Sequence, residues 1–290
     1  MTGLLHQIAS GIASGAIYAS VALALVMIYQ ATHHVNFAQG EMATLSTFVC
    51  LTLIQAGIPF WVAFVVALLL SFAFGAVVER VLMRPMMDAP VLASVGVFIG
   101  LLLIINALDG WIFGYTIKPF PSPFHSAHAM LGGYVSPHEI GATALTLLVL
   151  VLVWLFFRFT TLGLAMRAAA HNPASARLCG VRVNLMLSLG WGLAAAIGGA
   201  AGIMVAPIVF LDPNMMSGIL LYAFAGALLG GIDSPLGAVI GGFAVGVLEN
   251  LFGAYVVGTE LKLTVALVII VAVLVIKPAG LFGRAVHSRV

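Results

Sequence analysis

Trp61–Val78 and Leu145–Phe157 are unbroken apolar runs without one charged residue, and similar runs recur along the whole chain. Hydrocarbon supplies no hydrogen-bond partners, so backbone placed in it must satisfy itself as a helix or as a closed barrel. A barrel strand shows as a short segment alternating apolar and polar residues. Continuous runs point to helices. The composition agrees: 63% of the 290 residues are hydrophobic and 7% are charged, where a soluble domain carries about a quarter. Soluble folds of this size do not bury that much apolar surface. The expected class is an all-α polytopic membrane protein.

A spanning helix takes about 20 apolar residues. On that rule the spans are 8–29, 41–56, 60–78, 91–107, 142–157, 185–206, 216–230, 236–251 and 261–276, which makes roughly eight to nine crossings. The pair 216–230 and 236–251 is short and glycine-rich, so either is expected to be broken or re-entrant. Nine of the eleven basic residues sit in three places: Arg80 and Arg84; Arg158, Arg167, Arg177 and Arg182; and Lys277, Arg284 and Arg289. Cytoplasmic loops are enriched in Lys and Arg, so all three are expected in the cytoplasm. Even numbers of spans separate them, as that placement requires, and the N-terminus then falls outside. Residues 1–290 read as one transmembrane domain with a cytoplasmic loop at about 158–184 and an extracytoplasmic loop at about 109–140. Met1–Gln7 lacks the basic stretch of a cleaved signal, and no appended soluble domain is expected. A net charge of +2 gives no reason to expect a nucleic-acid partner.

The loop at 109–140 carries Lys118, His125, His128, His138 and Glu139. Without a second ligand pair at zinc spacing it reads as a solvated loop, and no metal site is expected. Cys50 and Cys179 lie in an apolar run and a basic loop, a poor setting for a disulfide. Small residues four apart, such as Gly11/Gly15, Gly226/Gly230 and Gly242/Gly246, allow close helix approach within the chain, at a dimer contact or along a pathway. A faint repeat links Gly15–Ala19 with Gly218–Ala223, each leading to a helix break.

Three motifs interrupt the apolar pattern. The first, Asn36-Phe37-Ala38-Gln39-Gly40-Glu41, is polar yet has no basic residue, which fits a capped turn with Glu41 at a helix start, a pathway lining, or both. The second is the long basic loop. Two short helices are expected there, with Asn172 capping the second, Pro173 at its first position and Gly180 ending it. Such a loop fits a docking surface for a cytoplasmic partner, or a basic segment lying on anionic headgroups. The third runs from Gly226 to Gly242, where Gly230-Gly231 and Ser234-Pro235 forbid an unbroken helix. Asp233 is expected at a cytoplasmic helix end.

With these residues the chain resembles the permease subunits of ABC importers for branched-chain amino acids, the LivH type. The resemblance rests on Asn36–Glu41, Glu79-Arg80-Val81-Leu82-Met83-Arg84-Pro85, the Arg167–Gly180 loop, Leu229–Ala238 and Lys277–Arg284, and covers nearly the whole chain. It implies an ABC importer permease fold in the bacterial inner (plasma) membrane. It also implies a second related permease subunit, two cytoplasmic ATPase subunits and an extracytoplasmic substrate-binding protein. Arg167, Ala168, His171, Asn172, Pro173, Ala176, Arg177 and Gly180 would form the loop that receives the ATPase. The chain departs from the family pattern at Asp233, where Gly is usual, and at Gln39, where His is common. Relatives that carry urea, short amides or aromatic acids keep the substrate open.

The expected role is therefore a non-catalytic transport subunit that binds no cofactor itself, with ATP bound by partner chains. A pathway of few charges suits a zwitterion only where helix ends and backbone groups receive its charges. The expected pathway residues are Asn36, Phe37, Gln39, Gly40, Glu41, Gly230, Gly231 and Asp233. An autonomous secondary transporter or channel would need coupling-ion ligands at mid-depth, and Asp109, Asp233 and Glu249 all read as helix-end residues. An intramembrane enzyme would need a nucleophile or metal set inside the spans, which the sequence does not offer.

Overall fold

The computed structural model describes residues 2–32, 34–86, 89–124 and 136–283. Among them the chain is helical, apart from turns and one isolated bridge between Lys118 and Leu211. The helices are α1 (Thr2–Thr32), α2 (Gln39–Gln55), α3 (Phe60–Val78), α4 (Val91–Phe113), α5 (Pro137–Phe159), α6 (Thr161–His171), α7 (Pro173–Leu178), α8 (Val183–Val209), α9 (Met216–Gly230), α10 (Pro235–Tyr255) and α11 (Lys262–Ile276). Six of them are long and apolar enough to cross a membrane, and α9 and α11 are shorter apolar helices. The protein is an all-α multi-pass membrane protein.

Two differences from the expected spans bear on function. The α4 helix runs on to Phe113 and α5 starts at Pro137, so the connecting loop is 114–136 rather than 109–140. Within it, residues 125–135, including His125 and His128, lie outside the described residues. The pair at the Gly-rich turn also divides unevenly: α10 is an unbroken 21-residue span, and α9 alone is short.

All three basic segments gather at one end of the bundle, called here the basic end. The Gln30 side chain at the end of α1 donates to the Asp233 carbonyl (2.8 Å). The tail after α11 donates from Leu281 N to Leu229 O and from Phe282 N to Gly230 O. Arg84 donates to Asn184 O (3.3 Å) and Ser188 Oγ (3.0 Å) on α8. Arg284 and Arg289 of the expected basic tail lie outside the described residues.

Helices in lipid gain little from apolar burial against one another, so close approach and dispersion must hold them. In the most apolar stretch of α1, 83% of residues are buried within the protein, against 17% in α5, so α1 is central and α5 faces lipid. A glycine seam explains the first figure. A Cβ on Gly15 would stand 2.8 Å from Phe243 Cα of the antiparallel α10, and one on Gly226 would stand 2.7 Å from Gly242 Cα. The four-apart glycines thus serve packing within the chain. Tyr18 and Tyr222, from the two halves of the faint repeat, stack with ring centroids 4.9 Å apart.

Candidate functional site

The second helix does not start at the membrane edge. After α1 ends at the basic end, residues 34–38 turn back without helical structure, and α2 begins at Gln39. Its carboxamide donates to Ala194 O (3.0 Å), eleven residues along α8 from Val183, which at 1.5 Å per residue is about 17 Å from the basic end. The start of α9 lies at similar depth. Met216 is fourteen residues from Gly230 at the basic end, or about 21 Å. The two starts touch: a methyl at Gly40 would sit 3.3 Å from Met216 Cβ. Two half-length helices therefore bring their N-termini together inside the bundle. Each helix start carries a partial positive charge that attracts anions.

Sequence explains the geometry on both sides. Asn36 does not cap α2 in the expected way. Its Oδ1 accepts from Ala38 N (3.0 Å) and closes a tight turn one step earlier, while its Nδ2 reaches Gln39 Oε1 (3.4 Å). Asn36 and Gln39 are fully buried, and Phe37 packs half-buried against the core. Gly198 on α8 leaves room for Gln39, since a Cβ there would clash with its Nε2. On the other side Phe210 takes φ 63, a left-handed conformation strained for a non-glycine residue. Leu211 then pairs with Lys118, and Asp212 Oδ1 accepts from Asn214 N (2.6 Å). Non-helical backbone at membrane depth persists only where protein buries it or a cavity needs it.

Around these helix starts lies a polar cluster. Glu41, on the first turn of α2, is 4% exposed and accepts from Asn106 Nδ2 of α4 (3.3 Å). Asn106 also donates to Pro213 O and Asn214 Oδ1, both at 3.0 Å. One turn further, Asp109 is fully buried, and neither carboxylate oxygen has a hydrogen-bond partner. Asp109 lies within the field of Glu41, and Glu41 within that of Asp212. Lys118 sits 5.9 Å from the Phe48 ring centroid, and no ion pair joins a cation to these acids among the described residues. Three acids thus lie beside two helix N-termini, a set of charges suited to receiving an ammonium and a carboxylate of one small molecule.

The expected pathway residues divide. Asn36, Phe37, Gln39, Gly40 and Glu41 are in this cluster. Gly230, Gly231 and Asp233 are at the basic end, where α9 turns into α10. Gly230 packs against the Gly237 carbonyl, Gly231 holds φ +111, and Asp233 is exposed. Asn106, Asp109, Asp212 and Asn214 are not among the expected pathway residues. The sequence pattern puts both Asp109 and Glu249 at helix ends. Instead Asp109 lies inside α4 and Glu249 inside α10, each buried. The signal for Asn106 and Asp109 is present in the sequence: two polar residues, one turn apart, at the end of an apolar run. His138 is also buried, with its ring between Ser122 Oγ (2.8 Å) and Met204 O (2.9 Å). No group of three or more potential metal ligands occurs among the described residues.

The basic loop folds as its residues dictate. Thr160 caps α6 by accepting from Gly163 N (2.9 Å). Asn172 caps α7 by accepting from Ser175 N (3.0 Å), Pro173 opens it, and Gly180 follows with φ +81. Met166, Ala169 and Ala176 face a small core with Val183, Met186 and Leu187 of α8. Arg167, Ala168, His171, Asn172, Arg177 and Gly180 are exposed, Pro173 is half-buried, and Leu178 is 91% exposed. Behind the loop, Arg84 clasps Glu79 (3.0 Å), which is 1% exposed and also accepts from Ser188 Oγ. Glu79–Met83 is a π-helical turn, a feature often found at functional sites. The Glu79–Pro85 motif therefore anchors α3 to the start of α8.

The chain is similar along its length to known transport proteins. It is 29% identical over 309 residues to the high-affinity branched-chain amino acid transport system permease protein LivH of Escherichia coli K12, covering 99% of this chain and 97% of the relative. It is 29% identical to the corresponding BraD of Pseudomonas aeruginosa, with 99% and 98% covered. To a probable branched-chain amino acid transport permease protein LivH of Methanocaldococcus jannaschii it is 28% identical, with 91% and 87% covered. No solved structure matches. The family model described as branched-chain amino acid transport system / permease component matches residues 7–274, and the chain belongs to that family.

Proposed function

We propose that this permease is the membrane subunit of an ATP-driven ABC importer, and that it carries branched-chain or related amino acids inward by alternating access. The observation that carries the reading is the meeting of the α2 and α9 N-termini beside Glu41 and the unpartnered Asp109. The helix ends receive the carboxylate and the acids receive the ammonium. That pairing favours an α-amino acid over urea or short amides, which lack the ammonium. The names of its relatives point to the same substrate class.

The chain itself does no chemistry. It pairs with a second related permease, and a substrate-binding protein delivers the amino acid from outside. Two ATPase subunits dock on the exposed faces of α6 and α7 around Arg167, Ala168, His171, Asn172, Arg177 and Gly180. Ala176 and Pro173 hold that surface to α8. ATP binding must favour one conformation of the pathway over the other, since a ligand shifts an equilibrium only by its differential affinity.

The test is uptake into proteoliposomes holding the co-expressed permease pair, ATPases and binding protein. Labelled leucine is expected to enter only with internal ATP, and Arg177→Glu, on the exposed face of the loop, is expected to abolish coupling while the permease stays folded. ATP-independent uptake by the purified chain alone would overturn the reading.

A further inference from the structure

A cavity of about 620 Å³ opens between α1, α5 and α10 at the basic end, within the size range of small-ligand sites, about 300–1,000 Å³. Its walls are apolar and include Met27, Val151, Trp154 and Leu236; its end is set by Arg158 and Arg167. Val151, Trp154 and Leu236 are 50%, 48% and 63% exposed, so the groove opens to the bilayer. Along α5 it reaches from Arg158 to Leu147, eleven residues, or about 17 Å, close to one leaflet of an approximately 30 Å hydrocarbon core.

The two arginines differ from Arg84 at the same end. Arg84 is engaged by Glu79, Asn184 and Ser188. Arg158 and Arg167 are exposed and have no hydrogen-bond or ion-pair partner among the described residues. No acidic side chain lines the groove. Guanidinium forks match phosphate in a bidentate way, and basic pockets between spans on the cytoplasmic side suit anionic headgroups. We propose that this groove binds an anionic phospholipid of the surrounding bilayer, with an acyl chain along α5 and its phosphate on Arg158 and Arg167. Because Arg167 belongs to α6, the headgroup ties the exposed loop to the plane of the membrane.

Native mass spectrometry of the purified full chain tests the proposal, with phosphatidylglycerol and phosphatidylcholine of matched acyl chains titrated into delipidated protein. Phosphatidylglycerol is expected to bind roughly tenfold more tightly. The double change Arg158→Gln and Arg167→Gln is expected to erase that preference. Arg80→Gln, exposed at the same end but outside the groove, is expected to retain it. Val151→Trp fills the groove without touching its charge and is expected to reduce retention of both lipids. Equal binding of the two lipids by the unaltered chain would overturn the proposal. So would a preference that survives the double change, or one lost equally with Arg80→Gln. Efficient cross-linking of Val151→Cys to another permease chain in native membranes would also overturn it, by showing protein in the groove.

Discussion

Glu249 and Asp109 are both buried in the half of the bundle away from the basic end, at 6% and 0% exposure, but the fold treats them differently. Glu249 on α10 accepts from the Tyr18 hydroxyl of α1 (2.7 Å) and lies 3.7 Å from Lys262 Nζ at the start of α11. Lys262 also donates to Asn250 Oδ1 (2.8 Å), and Tyr18 stacks on Tyr222 of α9. The acid thereby joins four helices. Asp109 on α4 has no hydrogen-bond partner among the described residues, and the charge that reaches it, that of Glu41, has its own sign. Burying a carboxylate in an apolar medium costs several kcal/mol unless it is paired. For Glu249 the fold supplies that pairing. For Asp109 the described residues supply none, as the proposed ammonium site requires.

The contrast predicts opposite phenotypes. Glu249→Ala leaves Lys262 and Tyr18 facing an empty site. It should lower stability by about 3 kcal/mol, the low end for breaking a buried pair, because Lys262 keeps 28% side-chain exposure. Thermal unfolding in detergent measures this, and an unchanged midpoint would remove Glu249 from the architecture. Asp109→Asn should leave that midpoint unchanged or raise it, because no native bond is lost. Uptake in the assembled transporter should fall about 10- to 100-fold, matching the loss of one hydrogen bond to a charged group. Normal uptake by the Asp109→Asn transporter would break the comparison from the other side. Asn106→Ala is expected between the two. It removes the bridge from Glu41 to Pro213 and Asn214, so both stability, by about 1 kcal/mol, and uptake should decline.

What could be read from the sequence follows the range of the interactions. The α6–α7 loop is legible because its signals are local: Asn172 caps a helix three residues away and Gly180 stops it. The apolar runs and basic clusters reveal the fold class and the common basic end for the same reason. The polar cluster is only half legible. Asn36–Glu41 announces itself as a polar break, but Asn106, which donates to Glu41, lies 65 residues away, and Asn214, which accepts from Asn106, a further 108. Nothing local says that two half-helices will meet. A fourth span ending at Ala107 places Asp109 outside the membrane, although α4 continues to Phe113. Glu249 is hidden likewise, because Tyr18 is 231 residues away in the sequence. Gly230, Gly231 and Asp233 are recognisable as a helix break, but only the folded chain places that break at the basic end, away from Glu41.

The smallest effect tests the pairing of Glu249 itself. Lys262→Met removes a charge and keeps the stem, which packs so closely on α10 that a Cβ at Gly253 would lie 2.7 Å from Lys262 Cε. Packing should therefore survive and only the polar contacts should go. The ammonium is 3.7 Å from Glu249, beyond hydrogen-bond distance, and part-exposed, so this contact contributes on the scale of exposed pairs, about 0.5–1 kcal/mol. Glu249 keeps its bond from Tyr18, while Asn250 loses the donor to its Oδ1. The expected cost is about 1 kcal/mol in unfolding, with uptake unchanged. A loss as large as that of Glu249→Ala would show that the ion pair, rather than the Tyr18 bond, holds the four helices. Lost uptake with stability retained would place Lys262 and Glu249 with Asp109 in the transport pathway and dissolve the distinction between the two acids.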